Sequence, residues 1–309
     1  MDKLNCAVVG CGNIAQGYDS PEDSRIRTHV KAYLENANCN LVGVCDQDKN
    51  KLQDLQSRWG LIPIFNNLEL MLSSNNIDLL SICTPTEFHL ESFKAAANSN
   101  IKQVWMEKPS SYDPECIQKM IEVESDMGMK VYVNYFRRYD LGFAKVKEAL
   151  DDLGRISHVI GYYSKGMKNN ASHLVDLLVW FFGKASNPEL LSDLSDDFYP
   201  SASFKLEFND TNAHIFNFDY KNYEIFELDI IGSKGRIKIL DGGKFIEFYE
   251  VSDSKHYVGY KNFTMKEKHK GSLDVFMQKG LKKILGSDQM PTLQEDLYIQ
   301  VLMNKLLTS

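Results

Sequence analysis

Leu4-Asn5-Cys6-Ala7-Val8-Val9-Gly10-Cys11-Gly12-Asn13-Ile14-Ala15 stands near the head of the chain, an apolar run followed at once by G-x-G-x-x-A. The run predicts a short buried strand. Gly10 permits the tight turn after it, Gly12 lets a phosphate approach the backbone, and the small Ala15 lets a following helix pack close, with Asn13 and Ile14 in the same loop. A pyrophosphate would rest on the free N–H groups of that helix. A plain strand-to-helix turn uses the same residues, but the place directly behind an N-terminal strand points to a dinucleotide site. Residues 18–26 (Tyr-Asp-Ser-Pro-Glu-Asp-Ser-Arg-Ile) interrupt the first helix with turn formers. A second helical piece is expected from about Arg27 to Asn36. The interruption either shapes the mouth of the site or is a solvated loop.

Leu41-Val42-Gly43-Val44-Cys45-Asp46 reads as the second strand and ends in an acid. An acid there accepts hydrogen bonds from the adenosine ribose and repels a 2′-phosphate, so NAD is expected over NADP. The competing reading makes Asp46 a cap for the next helix, 49–59. The alternation continues with a strand at 63–65, a helix at 68–73, a strand from Ile77 to Cys83, a helix capped by Thr86 and running through Asn98, a strand from Ile101 to Met106, and a helix opened by Tyr112-Asp113-Pro114. Strands alternating with helices imply a parallel, doubly wound α/β sheet with right-handed crossovers.

Within that sheet Val104-Trp105-Met106-Glu107-Lys108-Pro109 is a buried strand that ends in an acid, a base and a proline. Ligands of open parallel sheets bind off the carboxyl ends of strands, so Lys108 is placed to point an ammonium into a cleft. Pro109 biases Lys108 away from helix. The bland alternative is a surface Lys-Pro that closes a strand. His89, early in the helix after Thr84-Pro85-Thr86, is either part of that cleft or a structural histidine.

Met129 to Phe136 is the last strand of the series, and Arg137-Arg138-Tyr139-Asp140 leads into a helix to about Asp152. A new strand runs from about Gly154 through Tyr163. Residues 201–250 then alternate in polarity, with Phe204, Leu206 and Phe208, then Phe216, Phe218 and Tyr220, then Phe226, Leu228 and Ile230. Asn209-Asp210-Thr211-Asn212 and Asp241-Gly242-Gly243 read as hairpin turns between antiparallel strands. Two helices close the chain near 272–285 and 293–307. The expected organisation is a Rossmann domain over residues 1–127 and an α+β domain over 128–309 with a large, mainly antiparallel open sheet, the last helix packing back on the first domain. The aromatic stripe faces either helices or another subunit, and a broad apolar face suits a homodimer or homotetramer.

The bulk composition sets limits. The chain has 309 residues, 43% hydrophobic and 25% charged, enough for about two domains. Net charge is −7 with no basic block, so a nucleic-acid partner is not expected. No apolar run is long enough to span a membrane, and no signal peptide is read at the N-terminus. Cys6, Cys11, Cys39, Cys45, Cys83 and Cys116 form no C-x-x-C pair and no zinc spacing, so no metal is expected and the thiols read as reduced, in a cytoplasmic protein.

Asn169-Asn170-Ala171-Ser172-His173-Leu174-Val175-Asp176 begins a helix that stays apolar to Phe182. Asn169, His173 and Asp176 fall at i, i+4 and i+7, one helical face. A His and an Asp there make a proton-handling pair, or else a satisfied core histidine. Taken together, Gly10 to Ala15, Cys45-Asp46, Thr84-Pro85-Thr86 with His89, Glu107-Lys108-Pro109, Tyr135 to Tyr139, and His173 with Asp176 resemble the Gfo/Idh/MocA oxidoreductases, a group that includes glucose-fructose oxidoreductase and inositol dehydrogenase. These pieces run in family order to about residue 183, and Pro291-Thr292-Leu293 with the last helix also fits.

The resemblance implies an NAD(P)-dependent oxidoreductase that moves a hydride between the nicotinamide and a secondary alcohol or ketone of a sugar, nucleotide sugar or cyclitol. It implies cofactor contacts from Gly10, Gly12, Asn13, Ile14, Asp46, Thr84, Pro85, His89, Glu107 and Lys108. Lys108 would contact the reacting hydroxyl, His173 would be the acid/base, and Asp176 would support the site. Arg138, Tyr163, Lys165 and Asn169 would contact substrate. Many members have an acid where this chain has Asn169; an amide cannot relay a proton but still orients a hydroxyl, and sugar-nucleotide dehydrogenases of the family look similar there. Two other classes remain open: an NAD-dependent glycosidase working by transient oxidation, and a non-catalytic NAD or sugar sensor.

Overall fold

The computed structural model describes residues 3–195 and 199–308. The chain divides into two compact units, residues 1–136 with 274–300 and residues 137–273 with 301–309. The division differs from a boundary at 127 because strand pairing carries the first unit further along the chain.

The first unit is built on β1 (Leu4–Val9), α1 (His29–Leu34), β2 (Cys39–Cys45), α2 (Lys49–Trp59), β3 (Ile64–Phe65), α3 (Leu68–Ser74), β4 (Leu79–Ile82), α4 (His89–Asn98), β5 (Gln103–Met106), α5 (Pro114–Met127) and β6 (Lys130–Val133). The strands form one sheet in the order β3-β2-β1-β4-β5-β6, and every neighbouring pair is parallel. The order reverses between β1 and β4, which opens a crevice at their carboxyl ends. The central strands are mostly apolar because helices cover both faces; Ala7, Val8, Leu79, Leu80, Ile82, Val104, Trp105 and Met106 are all fully buried.

Local chemistry fixes the helix ends. The Asp48 carboxylate accepts Asn50 N–H at 2.9 Å and caps α2, so Asp46 is not that cap. Asp113 caps α5 with Pro114 in the first turn. Thr86 caps nothing: it begins a 3₁₀ turn, Thr86–Phe88, and α4 starts at His89. The expected helix behind Gly12 is only a wide turn of five residues, Asn13–Gly17. The loop after it is pinned rather than loosely solvated. Buried Asp19 accepts Arg27 N–H at 2.7 Å and the Thr28 hydroxyl at 2.9 Å, and buried Lys31 donates to Ser20 O at 2.8 Å.

The second unit holds α6 (Leu141–Ala149), β7 (Ile156–Tyr163), α7 (Ser172–Phe182), β8 (Ser186–Leu190), β9 (Phe204–Phe208), β10 (Thr211–Asn217), β11 (Phe226–Gly232), β12 (Gly235–Leu240), β13 (Phe245–Asp253) and β14 (Lys261–Lys270). Its sheet runs β14-β13-β12-β11-β7-β10-β9-β8 and is antiparallel except where β10 lies parallel to β7. Phe204, Leu206, Ile215, Leu228, Ile230, Ile237 and Ile239 bury one face. The aromatic set divides: Ile215 points into the core while Phe216, its neighbour, is 38% exposed on the other face. The chain then returns to the first unit with α8 (Phe276–Gly286), and α9 (Leu293–Leu307) follows.

Candidate active site

At the crevice of the first unit, Gly10 has φ of +89° and a Cβ there would stand 2.6 Å from the backbone of Cys83 and Thr84. The turn therefore admits no side chain at Gly10. Gly12 is the opposite case, since a Cβ built on it meets nothing within 4 Å and faces open space. Asp46, at the end of β2, accepts Cys11 N–H on Oδ2 at 2.7 Å and Asp48 N–H on Oδ1 at 2.9 Å. The acid is thereby fixed against the glycine loop, and Lys51 Nζ lies 3.9 Å from it. A cleft of about 280 Å³ opens beside these groups, lined in part by Gly10, Asp46, Asn67, Thr84, Pro85 and Ser92. Thr84 Oγ1 is buried and has no hydrogen-bond partner among the described residues. A narrow loop with open space at Gly12, a fixed acid and an unpaired hydroxyl are the features a dinucleotide would occupy and satisfy. Asn13 is exposed and Ile14 half-buried at the same loop.

Lys108 lies half-buried just past β5, in a segment clamped on both sides. On the N-terminal side, Glu107 N–H extends the ladder to Ile82 O at 2.9 Å. The Glu107 Oε1 atom receives His29 Nε2 at 3.0 Å and Asn134 Nδ2 at 2.5 Å. On the C-terminal side, past a cis Lys108-Pro109 peptide, the fully buried Asp296 takes three donors from the segment and from Tyr135, just after β6. These are Ser110 N–H at 2.8 Å, the Ser110 hydroxyl, and the Tyr135 hydroxyl at 2.6 Å.

His89 closes the same segment. It is 1% exposed, with Nδ1 3.0 Å from Pro109 O and Nε2 2.9 Å from Thr84 O. Its ring touches two backbone carbonyls, the structural role rather than an open face toward ligand. A neutral imidazole donates one hydrogen, so only the imidazolium satisfies both carbonyls. Burial nevertheless depresses its pKa below 6.5, against the opposing pull of Thr84 O and Glu107. A histidine lowered in the folded state leaves the unfolded chain binding more protons. Stability is therefore complete above the unfolded value and falls as pH drops below it, until the folded group also titrates. Thermal melts at about pH 7.5 and about pH 5.5 should differ less in His89→Gln than in the parent, since the amide does not titrate. An identical difference in both proteins removes His89 from the acid response.

In the second unit, Arg138 and Asp176 form a buried bidentate pair, Nε to Oδ2 at 3.1 Å and Nη2 to Oδ1 at 2.6 Å. Arg138 is thus committed to Asp176 rather than extended as a substrate grip. Arg137 lies alongside, its guanidinium 3.7 Å above the Phe226 ring. Burial pushes its pKa down to about 9, with Asp176 opposing. His173 is 4% exposed, one turn before Asp176 on α7. Asn169 sits in a wide turn, Gly166–Ala171, so the continuous face joining it to His173 is not formed, and its side chain is exposed. Tyr163 is fully buried; its hydroxyl donates to Ala202 O at 2.7 Å and accepts Ala202 N–H at 3.2 Å. That hydroxyl staples β7 to the segment before β9. Lys165 pairs with Glu224.

Sequence reasoning missed His29, Asn134 and Asp296. Asp296 is the fourth residue of α9, behind Pro291-Thr292 and beside Glu295, where an acid reads as an ordinary first-turn residue. His29 and Asn134 carry no local signal. Among the described residues, no three His, Cys, Asp or Glu side chains form a metal site, and no helix is long and apolar enough to cross a membrane.

Comparison with known proteins follows the same division. Residues 4–135 match the family described as "Oxidoreductase family, NAD-binding Rossmann fold". Inositol 2-dehydrogenase of Rhizobium meliloti is 32% identical over 133 residues, 43% of this chain and 39% of its own length. The match thus spans about two fifths of that curated relative. A putative NADPH-dependent oxidoreductase from Desulfitobacterium hafniense superposes with a TM-score of 0.82 at 15% identity, covering 100% of this chain and 96% of the other. The WlbA dehydrogenase from Bordetella pertussis, solved with NADH and UDP-GlcNAcA, superposes with a TM-score of 0.77 at 19% identity, covering 100% and 95%. At these identities the two structures speak for the fold. The family match covers residues 4–135, the stretch that holds the glycine loop, the fixed acid and the Glu-Lys-Pro segment, and that stretch carries the NAD-binding Rossmann fold of the Gfo/Idh/MocA oxidoreductases.

Proposed function

We propose that this protein is an NAD-dependent dehydrogenase or reductase of a secondary alcohol or ketone in a sugar, nucleotide sugar or cyclitol. The observation that supports it most is the glycine loop: open space at Gly12 beside an acid held by the Cys11 amide. A bound nicotinamide supplies the hydride acceptor. Gly10, Gly12, Asp46 and Thr84 hold the dinucleotide. The Lys108 ammonium donates to the reacting oxygen and stabilises alkoxide charge as it develops. His173 takes the hydroxyl proton on a ring nitrogen, and the Arg138–Asp176 pair behind it keeps α7 in place. The relatives that act on inositol or bind UDP-GlcNAcA motivate the substrate class. The free thiols suit a reducing cytoplasm.

The test is a screen of sugars, nucleotide sugars and cyclitols with NAD⁺, read as NADH formation. NAD retained through purification, with no net NADH on any of them, supports the glycosidase class instead. For the cofactor, Asp46→Ala should narrow the ratio of NADP⁺ to NAD⁺ dissociation constants about tenfold, since it removes the charge that opposes a 2′-phosphate. An unchanged ratio takes Asp46 out of cofactor choice.

The open face of the eight-stranded sheet supports a homo-oligomer. Phe216 stacks on Tyr162 with ring centroids 6.3 Å apart, and Phe218 meets Tyr162 edge-on at 6.0 Å. Phe216→Glu should reduce the mass measured by light scattering to that of one chain. A parent that is already monomeric, or a variant of unchanged mass, defeats this reading.

A further inference from the structure

We propose that His29 is a positioning residue for Lys108, acting through Glu107. The inference rests on the proposed role of Lys108 only for its interest; its evidence is the hydrogen-bond chain behind the lysine. His29, Tyr33 and Ser81 are buried to within 1% exposure and lie on α1 and β4. Tyr33 Oη is 2.6 Å from Ser81 Oγ, Ser81 Oγ is 2.9 Å from His29 Nδ1, and His29 Nε2 is 3.0 Å from Glu107 Oε1.

The direction of this chain follows from counting hydrogens. Burial pushes the Tyr33 phenol well above its usual range, so it keeps its hydrogen and must donate it. Ser81 Oγ is its acceptor. Ser81 then donates its own hydrogen to His29 Nδ1, which accepts with its lone pair. The imidazole hydrogen therefore sits on Nε2 and points at Glu107. The reverse order leaves the Tyr33 hydrogen buried without an acceptor, a costly arrangement. Three buried groups thus set which ring nitrogen faces the carboxylate.

Asn134 Nδ2 reaches the same Glu107 oxygen, and the Glu107 amide is held by β4. Two side-chain donors and one backbone bond leave Glu107 a single orientation, 13% exposed, next to Lys108 in the chain. His29 meets the segment by its hydrogen bond to Glu107 and by edge-on packing on Trp105, ring centroids 4.3 Å apart, and the hydrogen bond is the contact nearer Lys108 in the chain. A Glu107 side chain held by two donors, with its amide in the ladder, steadies the backbone from which Lys108 springs.

The test is competitive acylation of the whole protein with trace acetic anhydride at fixed pH. Peptide mass spectrometry gives the Lys108 rate relative to the exposed Lys119. His29→Leu should raise the relative rate about threefold, the effect of releasing the backbone that aims the lysine. His29→Gln, which restores an N–H donor, should return it toward the parent value. Glu107→Ala removes the acceptor that both side chains meet and should match His29→Leu, which keeps the question decidable if His29→Leu does not fold. A purely structural role would lower the melting temperature of His29→Leu and leave the relative rate unmoved. That result, or Glu107→Ala labelling at the parent rate, overturns the proposal. Turnover of Lys108→Ala is a separate measurement, so failure of the dehydrogenase reading is told apart from failure of this one.

Discussion

Asp176→Ala should melt about 10 °C below the parent and lose about 3–5 kcal/mol of stability. The substitution removes a carboxylate that meets Arg138 in bidentate geometry, on a residue 1% exposed. The guanidinium left behind is buried and cannot shed its proton near neutral pH. Arg137, whose pKa burial has already depressed, loses the favourable charge of Asp176 at the same time. Two buried cations then share an interior that has lost this carboxylate. The pair itself is worth far less than this loss, because both members are desolvated whether or not they attract. Asp176→Leu combined with Arg138→Met should therefore recover most of the stability, and Asp176→Asn should fall between. Urea denaturation of the four proteins checks the order. A double variant as unstable as Asp176→Ala would mean that the pair is net stabilising.

The same pair shows where the sequence stops being informative. His173 and Asp176 announce themselves by helical spacing, but nothing local says that Arg138, 38 residues away, takes both carboxylate oxygens. Parallel strands and their crossovers were legible because each strand is a short apolar run with turn formers at its end; α2 spans Lys49–Trp59 as read. Two strands were not legible. Lys261–Lys270 is charged and largely exposed because it lies at a sheet edge, where lysines discourage pairing with another chain. Ser186–Leu190 carries Pro188, which an edge tolerates and a central strand does not. The wide turns at Asn13–Gly17 and Gly166–Ala171 also left no mark in the periodicity, since each ends within six residues. At the site, glycines and the Glu-Lys-Pro segment were visible because their chemistry is local. His29 and Asp296 were not, because they reach that segment from 78 and 186 residues away.

That asymmetry bears on the largest expected loss of activity. On the substrate found by the screen, Lys108→Ala and His173→Ala should each lower kcat about 10²–10⁴-fold, the usual contribution of an aimed charge or a positioned acid/base. Dinucleotide affinity should change little, because the glycine loop and Asp46 are untouched. The decisive measurement is the double variant. If an ammonium and an imidazole serve one proton and hydride transfer, removing the second group after the first costs little more, since the step is already lost. If the residues serve separate steps, the two losses multiply. The lysine and the histidine belong to different units of the chain, so strong non-additivity would be functional evidence that both act on one alcohol. Independent, multiplying losses would assign His173 to the support of α7, and near-parent rates in either single variant would remove that residue from the chemistry.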